Sequence, residues 1–317
     1  MRIASPSPHR IVAPAFVAVA ALLVSACAVR SQHSDSIVAR AASVIAPLRD
    51  SAALHRAGFF AIGFGGGVKD LTPFQGQHWI QVGRWFVNPA PEVAKPNFLM
   101  YLPIGDSLVP IGAAYTRRLE PSIAPPSDLD GDTVEWHSHV FCRAVPGEGN
   151  TLADGTDDCK ARGGTPGPRE IKMVHVWTIA NPDGPYAHDN PALPFIAAGL
   201  RPPTHASRDE RLFGIALGES YGARLVIGHR LTILAAKAGK QQGLESWRDT
   251  LRALVPQLRA AQQANDQRRF DAVRAKMIDA WNALAAEYRA VASTPELKAR
   301  FDVELQHALG MASHDHM

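Results

Sequence analysis

From residue 59 to about 200, short apolar runs alternate with clusters of Gly, Pro, Asn and Asp, the pattern of strands separated by turns. Five runs, at 78–87, 98–103, 108–115, 133–142 and 170–179, predict strands. Ahead of them Ile37, Ala41, Val44 and Leu48 recur at helical spacing, with Pro47 expected to bend the helix. Beyond Arg201-Pro202-Pro203 the period changes to that of helices. Phe270, Val273, Met277, Trp281, Leu284 and Tyr288 form one apolar stripe, and Ser293-Thr294-Pro295-Glu296 reads as a capping box ahead of Leu297, Phe301 and Leu305. Ser246 is the expected cap of a further helix carrying Trp247, Leu251, Leu254 and Leu258, which ends at Pro256 or crosses it. Gly214, Gly218 and Gly222, four apart, predict the close approach of another helix. The chain is therefore expected to be α+β. A tether and helix over 27–58 lead into an antiparallel β-rich domain over 59–204, and a C-terminal α-helical domain over 205–317 follows.

The first 26 residues stand apart from this pattern. They hold Arg2 and Arg10, no carboxylate, and an apolar run over 11–24 that is short for a membrane span. The sequence Leu22-Leu23-Val24-Ser25-Ala26-Cys27 resembles a bacterial lipoprotein signal. The resemblance implies removal of 1–26, lipid on Cys27 and attachment to the cell envelope, on the periplasmic side of the outer membrane. An ordinary secretory peptide or an uncleaved anchor is the alternative. Losing Arg2 and Arg10 lowers the formal net charge from +3 to +1, which leaves no nucleic-acid footprint. The most apolar later stretch, 212–236, carries Glu219, Arg224, His229 and Arg230, which membrane interiors rarely tolerate.

An exported chain meets an oxidising compartment, and with Cys27 committed to lipid the two other cysteines are left as a pair. Cys142 and Cys159 are expected to form a disulfide closing a loop of about 18 residues, worth about 3 kcal/mol. Two free thiols are the alternative. Neither cysteine lies in a Cys-x-x-Cys spacing.

The candidate chemistry is carried by histidines. Alternate residues share a face of a strand, so Glu135, His137 and His139 would point the same way, and His175 lies on a second strand-like run beside Trp177. If the two runs pair antiparallel across the stapled loop, His175 comes opposite His137 or His139. Three imidazoles with an open position and a nearby carboxylate make a catalytic or carrier metal site for zinc or copper. His78, beside Trp79, is the candidate fourth ligand, and Glu135 is either a ligand or the general base for a metal-bound water. Hydrogen-bonded core histidines remain the alternative.

Weaker signals add little. His307, Met311, His314, His316 and Met317 mix donors that suit copper, although such residues are common in a frayed end. Asp128, Asp130 and Asp132 miss the spacing of a calcium loop, and the Gly63–Lys69 stretch lacks the ending of a phosphate loop. Asn181-Pro182-Asp183-Gly184 is turn chemistry after the His175 run.

His78-Trp79-Ile80, Pro96-Asn97-Phe98-Leu99-Met100-Tyr101, Leu108 to Tyr115, His175-Val176-Trp177 and Asn181 to Tyr186 with Asn190-Pro191 resemble the motifs of an uncharacterised family of exported bacterial proteins. The resemblance covers 76–195. It implies an exported β-rich domain with His78, His137, His139 and His175 in the patterned positions, and no activity. The expected function is a lipid-anchored protein that handles or senses a transition metal. The alternatives are a metal-dependent hydrolase or oxygenase acting on a small molecule, with Glu135 as base, and an envelope scaffold with structural histidines.

Overall fold

The computed structural model describes residues 37–310 apart from 65–67, 70, 121–128, 130–133, 135, 146–148 and 154. Cys27, Glu135, the calcium-like aspartates and the tail from Met311 onward lie outside the described residues. Helical residues 37–45 (α1) are followed by α2 (Ser51–Arg56). The expected single bent helix is thus two, because Pro47 ends the first and Asp50 caps the second, accepting from the Ala53 amide at 2.7 Å.

Seven strands form one antiparallel sheet, and β1 (Phe59–Ala61) lies at one edge. A separate two-strand ribbon, β2 (Gly63–Phe64) with β3 (Val68–Lys69), precedes β4 (Gln77–Gln81) and α3 (Val82–Val87). Then come β5 (Phe98–Ile104), β6 (Ser107–Leu119), β7 (His137–Val145), β8 (Gly149–Ala153), α4 (Thr156–Ala161) and β9 (Thr165–Trp177). The spatial order is β1-β4-β5-β6-β9-β7-β8. The expected strand at 78–87 is cut short at Gln81, whose side chain accepts from the Arg84 amide at 2.7 Å and starts α3, while Asn88 in the left-handed region ends it.

Two faces result. On the outer one Trp79, Leu99, Tyr101, Ala113, Tyr115, Val174 and Val176 pack against Ile37, Ala41, Ile45 and Leu54 of α1 and α2. The Tyr101 hydroxyl donates to the Leu48 carbonyl at 2.6 Å and fastens the two together. The inner face carries Phe98, Met100, Ala114, Met173 and Trp177, and α5 (Leu193–Ala197) covers it through Leu193.

The sheet curls strongly about the inner face. Strands β4 and β9 are separated by β5 and β6, which would hold them about 14 Å apart in a flat sheet. Yet the rings of His78 and His175 are 5.4 Å apart. Gly112 on β6 makes the curl possible, because a Cβ there would sit 2.5 Å from Met100 Cε and 2.7 Å from the Val176 carbonyl oxygen. Gly112→Ala is expected to cost about 1–3 kcal/mol, read as a lower urea midpoint at unchanged slope. An unchanged midpoint would show that the curl does not depend on this glycine.

Cys142 and Cys159 form the disulfide, with Cα atoms 5.5 Å apart. It joins α4 to β7 over a small cluster of Val140, Val145 and Ala153.

The remaining helices, α6 (Arg208–Tyr221), α7 (Val226–Lys237), α8 (Gln241–Gln263), α9 (Gln267–Val291) and α10 (Pro295–Ala308), share a second core with Phe74 and Phe195. Three local expectations are corrected. Helix α8 begins before Ser246, crossing Pro256 as one of the two expected courses had it, and the cap of α10 is Thr294, whose hydroxyl accepts from the Leu297 amide at 3.3 Å, in place of Ser293. The glycine ladder receives chiefly the Pro73–Phe74 loop instead of a long helix, with Pro194 also near Gly214, and Gly222 ends α6 at φ +96°. Among the described residues no helix is long and apolar enough to cross a membrane.

At the centre of the helical core, Arg248 is fully buried. Its Nε donates to Glu219 Oε2 at 3.2 Å, and its Nη2 donates to the Tyr288 hydroxyl at 2.6 Å and to Thr232 Oγ1 at 2.7 Å. Tyr288 in turn donates to Glu219 Oε1 at 2.8 Å, so α6, α7, α8 and α9 meet in one polar knot.

Candidate metal centre

Pairing of β7 with β9 brings the histidines together. His137 lies opposite Met173 and His139 opposite Ile171, so His175 is a diagonal neighbour of His137, not its direct partner. Period-two alternation turns all three rings to the inner face, where His137 lies 5.0 Å from His139 and 5.0 Å from His175, centroid to centroid.

After Trp177 the chain folds back across this face. Asn181 starts the return, its side chain accepting from the Asp183 amide at 3.0 Å and donating to the Asp189 carbonyl at 2.9 Å. The indole N–H of Trp177 donates to the Ala187 carbonyl at 2.6 Å, and the Asn190 amide donates to the Phe74 carbonyl at 2.8 Å. His188, in the loop so pinned, lies 4.3 Å from His137, 6.0 Å from His139 and 5.5 Å from His175. His307 of α10 stacks on its other side at 6.0 Å.

Three of these rings converge. One nitrogen each from His137, His139 and His188 lies within 4.8 Å of the others, a spacing that could hold a metal ion. His188 thus takes the place in the set expected for His175, while His175 and His78 line the adjoining wall. Nothing periodic announces His188. The available signal is its position beside Asp189 between two turn motifs, Asn181-Pro182 and Asn190-Pro191.

The surroundings prepare the rings. His175 Nδ1 lies 2.6 Å from the His188 carbonyl oxygen. A carbonyl only accepts, so in the neutral ring Nδ1 carries the proton and Nε2 keeps its lone pair. The Nε2 atoms of His175 and of His137 are both buried without a hydrogen-bond partner. Asp189 Oδ1 lies 3.3 Å from His188 Nδ1, and the Gln75 amide nitrogen is 3.1 Å from that oxygen and 3.1 Å from His188 Nε2. Arg211 of α6 completes the clamp, pairing with Asp183 and lying 3.9 Å from Asp189.

The electrostatics disfavour the charged form of His78, His137 and His175. Burial, then the neighbouring rings of His188 and His139, push His78 down to about 4. Burial first and surrounding histidines second hold His137 and His175 well below the ordinary value. Burial alone would raise Asp189, but His188, the Gln75 hydrogen bond and His307 outweigh it and keep the carboxyl well below its usual range. Outside the cluster, burial and then Arg224 lower His229 to about 4.

A folded-state value below the unfolded one means that neutral His78 and His229 stabilise the fold fully above about pH 6.5, and that this is lost as the pH falls toward 4. The metal-free protein should lose stability over that window by at most about 3 kcal/mol per group. Urea unfolding at stepped pH checks this, and a flat profile from pH 7 to 4.5 would contradict it.

The fold is thus an α+β protein with a histidine-lined inner face on a curled antiparallel sheet. No protein-family model matches the chain, and comparison with curated proteins and with solved structures finds no match.

Proposed function

We propose that the chain is a lipid-anchored protein of the bacterial cell envelope that binds one transition-metal ion, zinc or copper, in a metal-handling or sensing role. The ligands are His137, His139 and His188, with His175 the next imidazole in reach. The observation that carries the reading is the convergence of three imidazole nitrogens within 4.8 Å on one face. Neutral nitrogen donors suit zinc and copper, and the carbonyl-bound Nδ1 of His175 is the usual posture of a metal-facing histidine. A buried Nε2 with no partner is costly in a purely structural histidine, which argues against the scaffold alternative. A metal-dependent hydrolase or oxygenase is the second reading. Its support is that three ligands leave a coordination position open and that the His188 side chain keeps 18% of its surface exposed.

The test is calorimetric titration of chelator-stripped protein with Zn²⁺ and with Cu²⁺. One equivalent bound, with a rise in melting temperature, is expected; no saturable binding of either ion removes the proposal. Asp189→Asn should weaken binding about 10–100-fold by releasing the His188 ring. An unchanged affinity would separate Asp189 from the site. The anchor is tested apart from the metal: Cys27→Ser should move the protein from the membrane fraction to the soluble one, and retention in the membrane would refute lipidation at Cys27.

A further inference from the structure

His78 points to the inner face of β4, and its neighbours Gln77 and Trp79 therefore point to the other. There they form part of the wall of a cleft of about 540 Å³, bounded also by the β5–β6 turn at Asp106 and by Arg224 and His229 from the helical side. Its size is that of a small-molecule site. No residue of the histidine cluster lines it.

Gln77 is the telling residue. It is only 1% exposed, and the indole N–H of Trp79 donates to its Oε1 at 3.1 Å. An indole nitrogen can only donate, so the amide oxygen must face Trp79 and the NH₂ group must face away. That Nε2 is buried with no acceptor. Leaving such a donor unsatisfied costs about 1–3 kcal/mol, a cost that a bound acceptor would offset.

The unmatched N–H donors in the wall favour an anion. Arg224 shares Glu219 with Arg248, and the carboxylate lies nearer Arg248 Nε, at 3.2 Å, than Arg224 Nε, at 3.5 Å. Glu245 also pairs with Arg248, so the two guanidiniums meet two carboxylates; Arg224 is the outer, partly exposed member, and its Nε, buried without a hydrogen-bond partner, is the second unmatched donor beside Gln77 Nε2. Among the described residues the one carboxylate in the wall is Asp106, which is exposed to water in the turn. Leu71, Leu108 and Trp79 supply apolar surface beside these donors.

We propose that this cleft binds a small carboxylate-bearing molecule with an apolar body. The carboxylate is taken by Gln77 Nε2 and the Arg224 guanidinium, and the body lies against Trp79, Leu71 and Leu108. The site is separate from the metal centre and needs no metal.

The experiment is an amide ¹H–¹⁵N titration of the full chain with 3-phenylpropionate, and with 3-phenylpropanol as the neutral control. The side-chain NH₂ pair of Gln77 is assigned by its loss in Gln77→Glu, a variant that keeps the acceptor for Trp79. Saturable movement of that pair is expected, with the acid bound about tenfold or more tighter than the alcohol and about tenfold weaker in Gln77→Glu. Asp106→Asn, an exposed change that leaves the fold alone, should tighten the acid several-fold and leave the alcohol unchanged. No saturable shift in the wild type, equal binding of acid and alcohol, or an acid affinity that Asp106→Asn leaves unchanged overturns the proposal.

Discussion

His137→Ala is expected to weaken binding of Zn²⁺ or Cu²⁺ by more than about 100-fold, beyond the 10–100-fold that follows loss of an outer partner. The ring of His137 is within 5.0 Å of both His139 and His175 and 4.3 Å from His188, whereas His139 and His188 are 6.0 Å apart. Its removal leaves a two-ligand remnant. The metal-free protein should respond with the opposite sign or hardly at all, because the lost Nε2 is buried without a partner and its desolvation is relieved. Competition titration gives the first quantity and urea unfolding of the stripped protein the second. His205→Ala, at an exposed position, serves as the control and should change neither. Equal affinity in wild type and His137→Ala would remove His137 from the site.

Arg248→Ala should cost about 3–5 kcal/mol, a large share of the 5–15 kcal/mol typical of a folded domain. The change leaves Glu219, 1% exposed, with the more distant Arg224 as its cation, and takes partners from Tyr288 and Thr232. Burial pushes the Glu219 carboxyl up while Arg248, Arg224 and Tyr288 oppose it, so loss of Arg248 should push it up further. Replacing both partners, Glu219→Leu with Arg248→Met, should cost less than Arg248→Ala alone, since no buried charge is then left unpaired. Chemical denaturation of the three variants decides it. A loss under 1 kcal/mol in Arg248→Ala would mean that the knot is not a structural centre.

Much of the architecture was legible along the chain because it follows from local patterns. Apolar runs bounded by turn clusters marked β5, β6, β7 and β9, and the 3.6-residue stripe from Phe270 to Tyr288 marked α9. Errors arose where a single side chain decides a boundary: Gln81 capping a helix inside an apolar run, and Thr294 taking the place of Ser293. The pairing of His137 and His139 on one strand face follows from period two, but the β7–β9 register shifts at one bulge between Val140 and Cys142 that leaves no mark in composition. His188 was illegible for a different reason. It sits on a loop without periodicity, and it reaches the cluster through hydrogen bonds from Asn181 and Trp177 and to Phe74, more than a hundred residues earlier. The curl that gathers His78 depends likewise on Gly112, whose meaning appears only once Met100 and Val176 are seen against it.

X-ray absorption at the metal edge of the loaded, purified protein tests the central claim most directly. The account predicts one equivalent of zinc or copper with imidazole nitrogens at about 2.0–2.1 Å, lost when His137 and His188 are both alanine and kept when residues 311–317 are deleted. A spectrum without imidazole scattering, or one that survives the double substitution, would contradict it.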